Sequence, residues 1–345
     1  MEKKIKAVIN GIGGYVPEAI LDNEELSRMV DTSDEWIMSR IGIKTRHVLG
    51  ERRGSAYMGI KAVQDLIEKT SLDTKDVDLL ICCTTTPSFV FPSNASLICG
   101  ALGITSAYGY DLAAACSGFI FGLDTCATMI ESGKYKKIIL VCSEKMTAIT
   151  NYEDRNTCPL FGDGAAAVLI EPTTEDVGVV DSILRIDGLG KENLHLKAGG
   201  SLHPASIETV TNKEHYIYQE GQAVFKRAVS DMSALAEEIM IKNALTSDDI
   251  AWLVPHQANI RIIEAVAKRM SLPREKTLIN IEHYGNTSAA SIPLCLWDYE
   301  SRLRKGDILV LAAFGAGFSW GSVLLKWGYD VEHSKKMQYI FLLIQ

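Results

Sequence analysis

The sequence predicts an α/β protein made of two βαβαβ-type halves related by duplication, and three observations carry that prediction. Short β-rich apolar runs alternate with longer helical patterns, which is how parallel strands joined by crossover helices read. The order of these pieces occurs twice along the chain. Their spacings also agree: 34 residues lead from Cys82 to Cys116 and 32 from Val254 to Asn286, and the next steps, to Ile139 and to Ile308, are 23 and 22.

The elements follow in order. Near the N-terminus, Gly11-Ile-Gly-Gly-Tyr-Val follows a strand and reads as a tight turn. A dinucleotide fingerprint needs Gly where Val16 stands, and the segment runs into Pro17 instead of a helix. Val77-Asp-Leu-Leu-Ile-Cys-Cys is a buried strand, Gly109-Tyr-Asp-Leu a shorter one entering a helix at about Ser117, Lys137-Ile-Ile-Leu-Val a third and Ala165-Ala-Ala-Val-Leu-Ile a fourth. Their counterparts are Ile250-Ala-Trp-Leu-Val, Thr277-Leu-Ile-Asn-Ile leading to a helix after Asn286, Asp307-Ile-Leu-Val-Leu and Gly321-Ser-Val-Leu-Leu. The halves diverge once, because 28 residues lead from Leu140 to Val168 but only 13 from Val310 to Val323. Residues 144–160 are therefore an excursion of the kind that serves function or an interface. Proline and charges at Glu171-Pro-Thr-Thr-Glu-Asp mark the boundary, dividing the chain into residues 1–172 and 173–328. Polar residues 187–215 read as a surface loop, and residues 329–345 form a tail outside the repeat.

Composition narrows the class. The 345 residues are about 2.3 times a typical domain of roughly 150. With 47% apolar and 23% charged residues the chain has a large core and no fibrous or disordered character. A net charge of −8 argues against nucleic acid or an anionic membrane as partner, and no apolar run reaches the ~20 residues of a membrane span. The N-terminus lacks the pattern of a secretory signal. The eight cysteines contain no Cys-x-x-Cys pair, so a reduced, cytoplasmic protein is expected, with seven of the thiols serving as small core hydrophobes.

Cys116 stands apart. In Ala113-Ala-Ala-Cys-Ser-Gly-Phe it lies between a buried strand and the first turn of an apolar helix, among residues too small to shield it. A helix N-terminus offers an anion about 0.3–1 kcal/mol, at most ~2, which alone would bring a thiol from ~8.5 to about 7 or 8. His256, in Val254-Pro-His-Gln-Ala-Asn, sits at a strand's C-terminal end, where α/β sheets carry chemistry. Asn286, in His-Tyr-Gly-Asn-Thr-Ser-Ala-Ala-Ser, is the repeat's counterpart of Cys116. A pseudo-twofold arrangement brings all three strand ends together as a nucleophile with orienting groups.

With these residues assembled, the chain resembles the thiolase-fold condensing enzymes, specifically the β-ketoacyl-[acyl-carrier-protein] synthase III family, over about residues 4–327. The specific elements are Asp111-Leu-Ala-Ala-Ala-Cys-Ser-Gly-Phe, Val254-Pro-His-Gln-Ala-Asn-Ile-Arg-Ile and Tyr284-Gly-Asn-Thr-Ser-Ala-Ala-Ser-Ile-Pro. The resemblance implies a thiolase-like, five-layered αβαβα fold, a homodimer, and a catalytic triad of Cys116, His256 and Asn286. It implies that an acyl-CoA substrate acylates Cys116, and that malonyl-acyl-carrier protein then loses CO2 and condenses, with no metal and no bound cofactor. The oxyanion hole would be the backbone N–H groups of Cys116 and Ala316. The same resemblance places CoA against Trp36, Arg40, Arg155 and Asn259, the acyl carrier protein on Arg261, Lys226 and Lys268, and Phe91 in the acyl pocket across the dimer. Gln219 stands where relatives often carry Met. Two other readings share some of these features: a related condensing or acyl-transfer enzyme of secondary metabolism, and a non-catalytic acyl-thioester binding module, in which the triad would be lost.

Overall fold

A computed structural model describes residues 4–331. The first repeat forms a mixed sheet from β1 (Lys6–Tyr15), β2 (Leu79–Cys83), β3 (Tyr108–Leu112), β4 (Ile138–Lys145) and β5 (Asp163–Thr173), in the order β1-β5-β4-β2-β3. Strand β2 is parallel to both β3 and β4, whereas β5 runs antiparallel to β4 and β1. In the second repeat, β6 (Gly178–Ile186), β7 (Trp252–Pro255), β8 (Ile308–Gly315) and β9 (Ser319–Lys326) take the corresponding order β7-β8-β9-β6.

The continuous apolar runs of the strands follow from burial on both faces. In β2, Leu79, Ile81 and Cys83 point to the molecule's middle, and Leu80 and Cys82 point outward. Outside the first sheet lie α1 (Ser55–Thr70) and α2 (Asn94–Leu102), packing Met58, Leu66 and Ile98 on Leu80, Ile139 and Leu169. Its inner face meets α3 (Gly118–Glu131), whose Phe119, Ile120 and Leu123 are fully buried. The second sheet is covered outside by α4 (Ser233–Lys242) and α5 (Ile260–Arg269), with Ile239 and Val266 against Leu253, Val310 and Leu324. Inside it lies α6 (Ser291–Asp298), which shares one apolar cluster with α3 and both sheets. The result is the helix–sheet–helix–sheet–helix stack. Between Thr173 and Gly178 the chain passes from the first sheet to the second. Among the described residues no helix is long and apolar enough to cross a membrane.

Three expectations need correction. Gly11, Gly13 and Gly14 are not a turn but lie within β1, where a Cβ on Gly13 would stand 2.3 Å from the Leu66 backbone nitrogen. The bare backbone lets α1 sit directly on the strand. Thr277-Leu-Ile-Asn-Ile makes only a single bridge to Leu253, because the Gln257 side chain occupies the backbone groups that would extend the pairing. Its oxygen accepts from the Asn280 and Ile281 N–H groups at 3.0 and 3.1 Å, and its amide donates to the Leu278 carbonyl at 3.3 Å. Residues 187–215 are not only surface: Leu194–Leu196 pairs with Ile217–Gln219 as a ribbon that reaches the central cavity.

Most of the tail, residues 332–345, lies outside the described residues. Its first residues belong to the body. The Tyr329 ring stacks on fully buried Trp327 at 4.8 Å, and its hydroxyl donates to Glu300 Oε1 at 2.7 Å. We therefore expect Tyr329→Phe to cost about 1 kcal/mol for the lost hydrogen bond. Tyr329→Ala should cost about 2–4 kcal/mol for the lost packing as well. Urea unfolding monitored by circular dichroism measures both, and unchanged midpoints would place the end of the fold at Trp327.

Candidate active site

Cys116 lies in a tight turn, Ala115–Ser117, between β3 and α3, and Ala115 enters that turn with φ of 47°. His256 follows β7 directly and its N–H donates to the Ala312 carbonyl of β8 at 2.8 Å. Asn286 is delivered by Gly285, whose φ of 66° reverses the chain after the short helix Ile281–Tyr284. Its N–H then donates to Leu160 O at 2.8 Å, at the end of the 144–160 excursion. All three line one cavity of about 710 Å³ at the C-terminal ends of the parallel strands.

The polar partners fix what each group presents. His256 is 2% exposed, and burial alone drives its imidazole down to about 3, so it is neutral near pH 7. Its Nδ1 lies 2.6 Å from Ser291 Oγ, which also accepts from the Gln257 N–H at 3.4 Å. Assigned from this network, the Ser291 hydroxyl donates to Nδ1 and the imidazole proton resides on Nε2. Asn286 Oδ1 accepts from the Ser288 N–H at 2.8 Å, leaving the amino group as the free donor.

The sequence reading of the thiol is corrected in direction. Burial pushes Cys116 up to about 12, a cost larger than a helix terminus supplies, although a hydrogen bond from Ser288 acts the other way. The helix proper starts only at Gly118, so Cys116 precedes its first turn. Gly315 closes the site from β8: a Cβ there would stand 2.7 Å from the Cys116 nitrogen. Next to it, Ala316 lines the cavity and has no positive φ, so its side chain adds no strain.

Trp36, Arg40, Asn259 and Arg261 line the cavity mouth. Ser33 caps the helix Asp34–Arg40, and Asn259 caps α5 while its amide donates to the Arg40 carbonyl at 3.1 Å. Arg155 is not in the lining, but its guanidinium lies 5.7 Å from the Trp36 ring centroid and pairs with Asp31 at 2.9 Å. Lys226 and Lys268 are exposed outside the cavity, and with Arg261 they carry no ion pair among the described residues. Arg269, on the same helix end, is paired with Glu237. Phe91 does not line the cavity of its own chain; it is 85% exposed in an apolar run with Phe89 and Val90. Gln219 does line it, together with His195 and Gln222.

Two residues escaped sequence reasoning. Ser291, at the start of α6, orients His256. Glu144, fully buried at the end of β4, accepts hydrogen bonds from Thr84, Thr85 and Thr86 beside the site. An acid ending an otherwise apolar strand was the available signal for it.

Comparison with known proteins shows the family to which the chain belongs. Residues 110–188 match the 3-oxoacyl-[acyl-carrier-protein (ACP)] synthase III model and residues 240–327 match the model of its C-terminal part. The chain is 60% identical to β-ketoacyl-[acyl-carrier-protein] synthase III 2 of Bacteroides thetaiotaomicron, over 95% of this chain and 98% of that protein. It is 48% identical to the β-ketoacyl-[acyl-carrier-protein] synthase III of Chlorobaculum tepidum, over 94% of this chain and 100% of that one. Among solved structures, 3-oxoacyl-[acyl-carrier-protein] synthase III of Aquifex aeolicus superposes with a TM-score of 0.86 at 37% identity, covering 93% of this chain and 100% of that one. The mixed sheets and layers are thus those of the thiolase fold, and the chain belongs to the β-ketoacyl-[acyl-carrier-protein] synthase III family.

Proposed function

We propose that this acyltransferase starts fatty-acid synthesis by joining an acyl-CoA primer to malonyl-acyl-carrier protein, with Cys116, His256 and Asn286 as its catalytic residues. The observation that carries the assignment is the pairing of a thiol with two neutral donors, His256 Nε2–H and the Asn286 amide, in one buried cavity. Cys116 attacks the primer's thioester and CoA departs. Malonyl-acyl-carrier protein then enters, the two donors hydrogen-bond its thioester oxygen as CO2 leaves, and the resulting carbanion attacks the acyl-cysteine. Neutral donors suit this step, because the oxygen gains negative charge only as the enolate forms. The N–H groups of Cys116 and Ala316 serve the tetrahedral intermediates in the same way.

The outer residues are assigned by the family resemblance, and Trp36, Arg40, Asn259 and Arg261 among them line the cavity. Trp36, Arg40 and Arg155 hold the nucleotide end of CoA, where Arg and an aromatic face suit a purine and phosphates, and Asn259 stands beside the pantetheine. Lys226, Arg261 and Lys268 receive the acidic carrier protein as unpaired cations on a chain of net charge −8. In a homodimer the exposed Phe91 closes the partner's acyl pocket.

Release of CO2 from labelled malonyl-carrier protein, measured beside acyl-enzyme formation, tests the scheme. Cys116→Ala should abolish condensation yet retain decarboxylation, and His256→Ala or Asn286→Ala should cut decarboxylation by on the order of 10²–10³. Asn286→Ala with intact decarboxylation would end the division of labour.

The protonation state of His256 gives a pH prediction. Its folded pKa is lowered to about 3, so it stays a neutral donor until pH falls toward that value. Decarboxylation by Cys116→Ala should therefore show no loss between pH 8 and 5, whereas an inflection near 6.5 would mean a solvated imidazole. Docking gives a third test. Arg261→Glu should weaken use of malonyl-carrier protein far more than acylation by acyl-CoA, and salt should mimic the mutation because exposed charges are screened over ~8–10 Å. Equal losses in both half-reactions would place Arg261 on CoA instead.

A further inference from the structure

The carboxamides that line the central cavity differ in how far the protein itself uses them. Asn156 Nδ2 donates to Asp154 Oδ1 at 3.1 Å. Asn259 is spent at both ends, its oxygen accepting from the Arg261 N–H at 2.9 Å and its amino group donating to the Arg40 carbonyl at 3.1 Å. Asn286 Oδ1 accepts from Ser288, and its amino group serves the reaction. Gln219 and Gln222 line the same cavity, yet among the described residues neither side chain makes a hydrogen bond. Gln222 is exposed, whereas Gln219 is half-buried. Unlike the His195 Nδ1 on the facing strand, which is shut away without a partner, the polar atoms of the Gln219 side chain keep access to solvent.

The backbone that carries Gln219 is fixed. Gln219 ends the strand Ile217–Gln219, where it is paired with Leu194, and the next N–H, that of Glu220, donates to the Asn193 carbonyl at 2.8 Å. The helix Gly221–Arg227 begins directly afterwards and brings the Phe225 ring centroid to 5.1 Å from the Arg261 guanidinium, so this wall runs out to the mouth. The side chains that line the cavity beside it, Leu194, Leu196, Ile217, Val224 and Ile262, are apolar. A sheltered amide with both its donor and its acceptor unused is thus set into an apolar wall.

Acyl-CoA and malonyl-carrier protein have one covalent segment in common, the pantetheine arm, a chain of apolar stretches interrupted by secondary amides. An amide that leaves water for an apolar wall is costly unless it finds a partner there. A carboxamide can donate to its carbonyl or accept from its N–H. Resting on the assignment of these two compounds as substrates, we propose that Gln219 is a binding residue for the pantetheine arm and hydrogen-bonds one of its amides inside the cavity. The contact is made in both half-reactions. The arm's amides are remote from the reacting carbonyl, so the bond is as strong in the ground state as in the transition state, and it lowers KM without raising kcat.

Gln219→Leu keeps most of the bulk and removes the amide. The concentration giving half-maximal rate should rise by on the order of tenfold, the size of one neutral hydrogen bond, both for acetyl-CoA in acylation and for malonyl-carrier protein in decarboxylation, with maximal rates unchanged. Acetyl-pantetheine, which keeps the arm and lacks the nucleotide, should show the same rise. S-ethyl thioacetate, a thioester without the arm, should acylate Cys116 with the same second-order rate constant in both proteins, followed by intact-protein mass spectrometry. Gln222→Leu, which alters the exposed carboxamide, should leave both substrates unaffected. Unchanged half-saturation by acetyl-CoA in Gln219→Leu, a fall in maximal rate in its place, an equal loss with S-ethyl thioacetate, or a loss confined to one of the two substrates would overturn the contact. A larger loss in Gln222→Leu would overturn it as well. If Gln219→Leu does not fold by circular dichroism, Gln219→Ala decides by the same series. Failure of the unmodified protein to form acetyl-Cys116 from acetyl-CoA would instead defeat the proposed function itself.

Discussion

The contact on which the rest of the molecule depends is the meeting of two helix starts at its centre. A Cβ on Gly118, the first residue of α3, would stand 3.0 Å from the Cβ of Ala289, just before α6, and 3.1 Å from that of Cys83. A side chain there would have to push its neighbours apart by a few tenths of an ångström. Cys116 lies two residues before α3 and Asn286 five before α6, so the closeness of the backbones also brings the thiol and the amide into one cavity. The surroundings lock the arrangement from both sheets: Ser117 Oγ donates to the Ser319 carbonyl of β9 at 2.8 Å, and the Cys83 thiol to the Gly118 carbonyl at 3.2 Å.

That central position decides the electrostatics. Strand ends buried between two layers of helix exclude water, and desolvation then outweighs the helix terminus for the thiol and opposes charging of the imidazole. A site made this way favours chemistry in which charge appears only in transit and meets donors already aimed at it. The same dryness explains the polar tethers. Buried Arg46, with no carboxylate partner among the described residues, spends its guanidinium on the carbonyls of Leu21 and Pro159 and on Asn23 Oδ1. It thereby ties the segment that carries Trp36 and Arg40 to the end of the excursion beneath Asn286.

Most of the layering was legible in the sequence, because strands buried on both faces announce themselves as short apolar runs and a duplication repeats their spacing. Cys116, His256 and Asn286 were legible for the same reason, each standing where a run ends. Gly11–Gly14 misled because glycines serve close packing as readily as turns, and the helix that needs the space lies about fifty residues on. The Thr277 segment misled because its backbone is captured by Gln257, a side chain whose role depends on folding. Ser291 and Glu144 could not be weighed from composition, since a serine or a terminal acid gains meaning only from what three-dimensional packing places beside it. The thiol was misjudged in sign because a sequence shows the helix and conceals the burial.

The shared middle layer also has a consequence during synthesis. Helix α6 belongs to the second repeat yet packs on β1 and β5 of the first sheet as well as on β7. Ribosomes add about 5–20 residues per second. The first sheet is complete at Thr173, so it waits on the order of ten seconds for Asp298 to emerge before its inner face is fully covered. During that interval α3 alone of the two central helices lies on the inner face, and the strip that α6 will cover stays open to water.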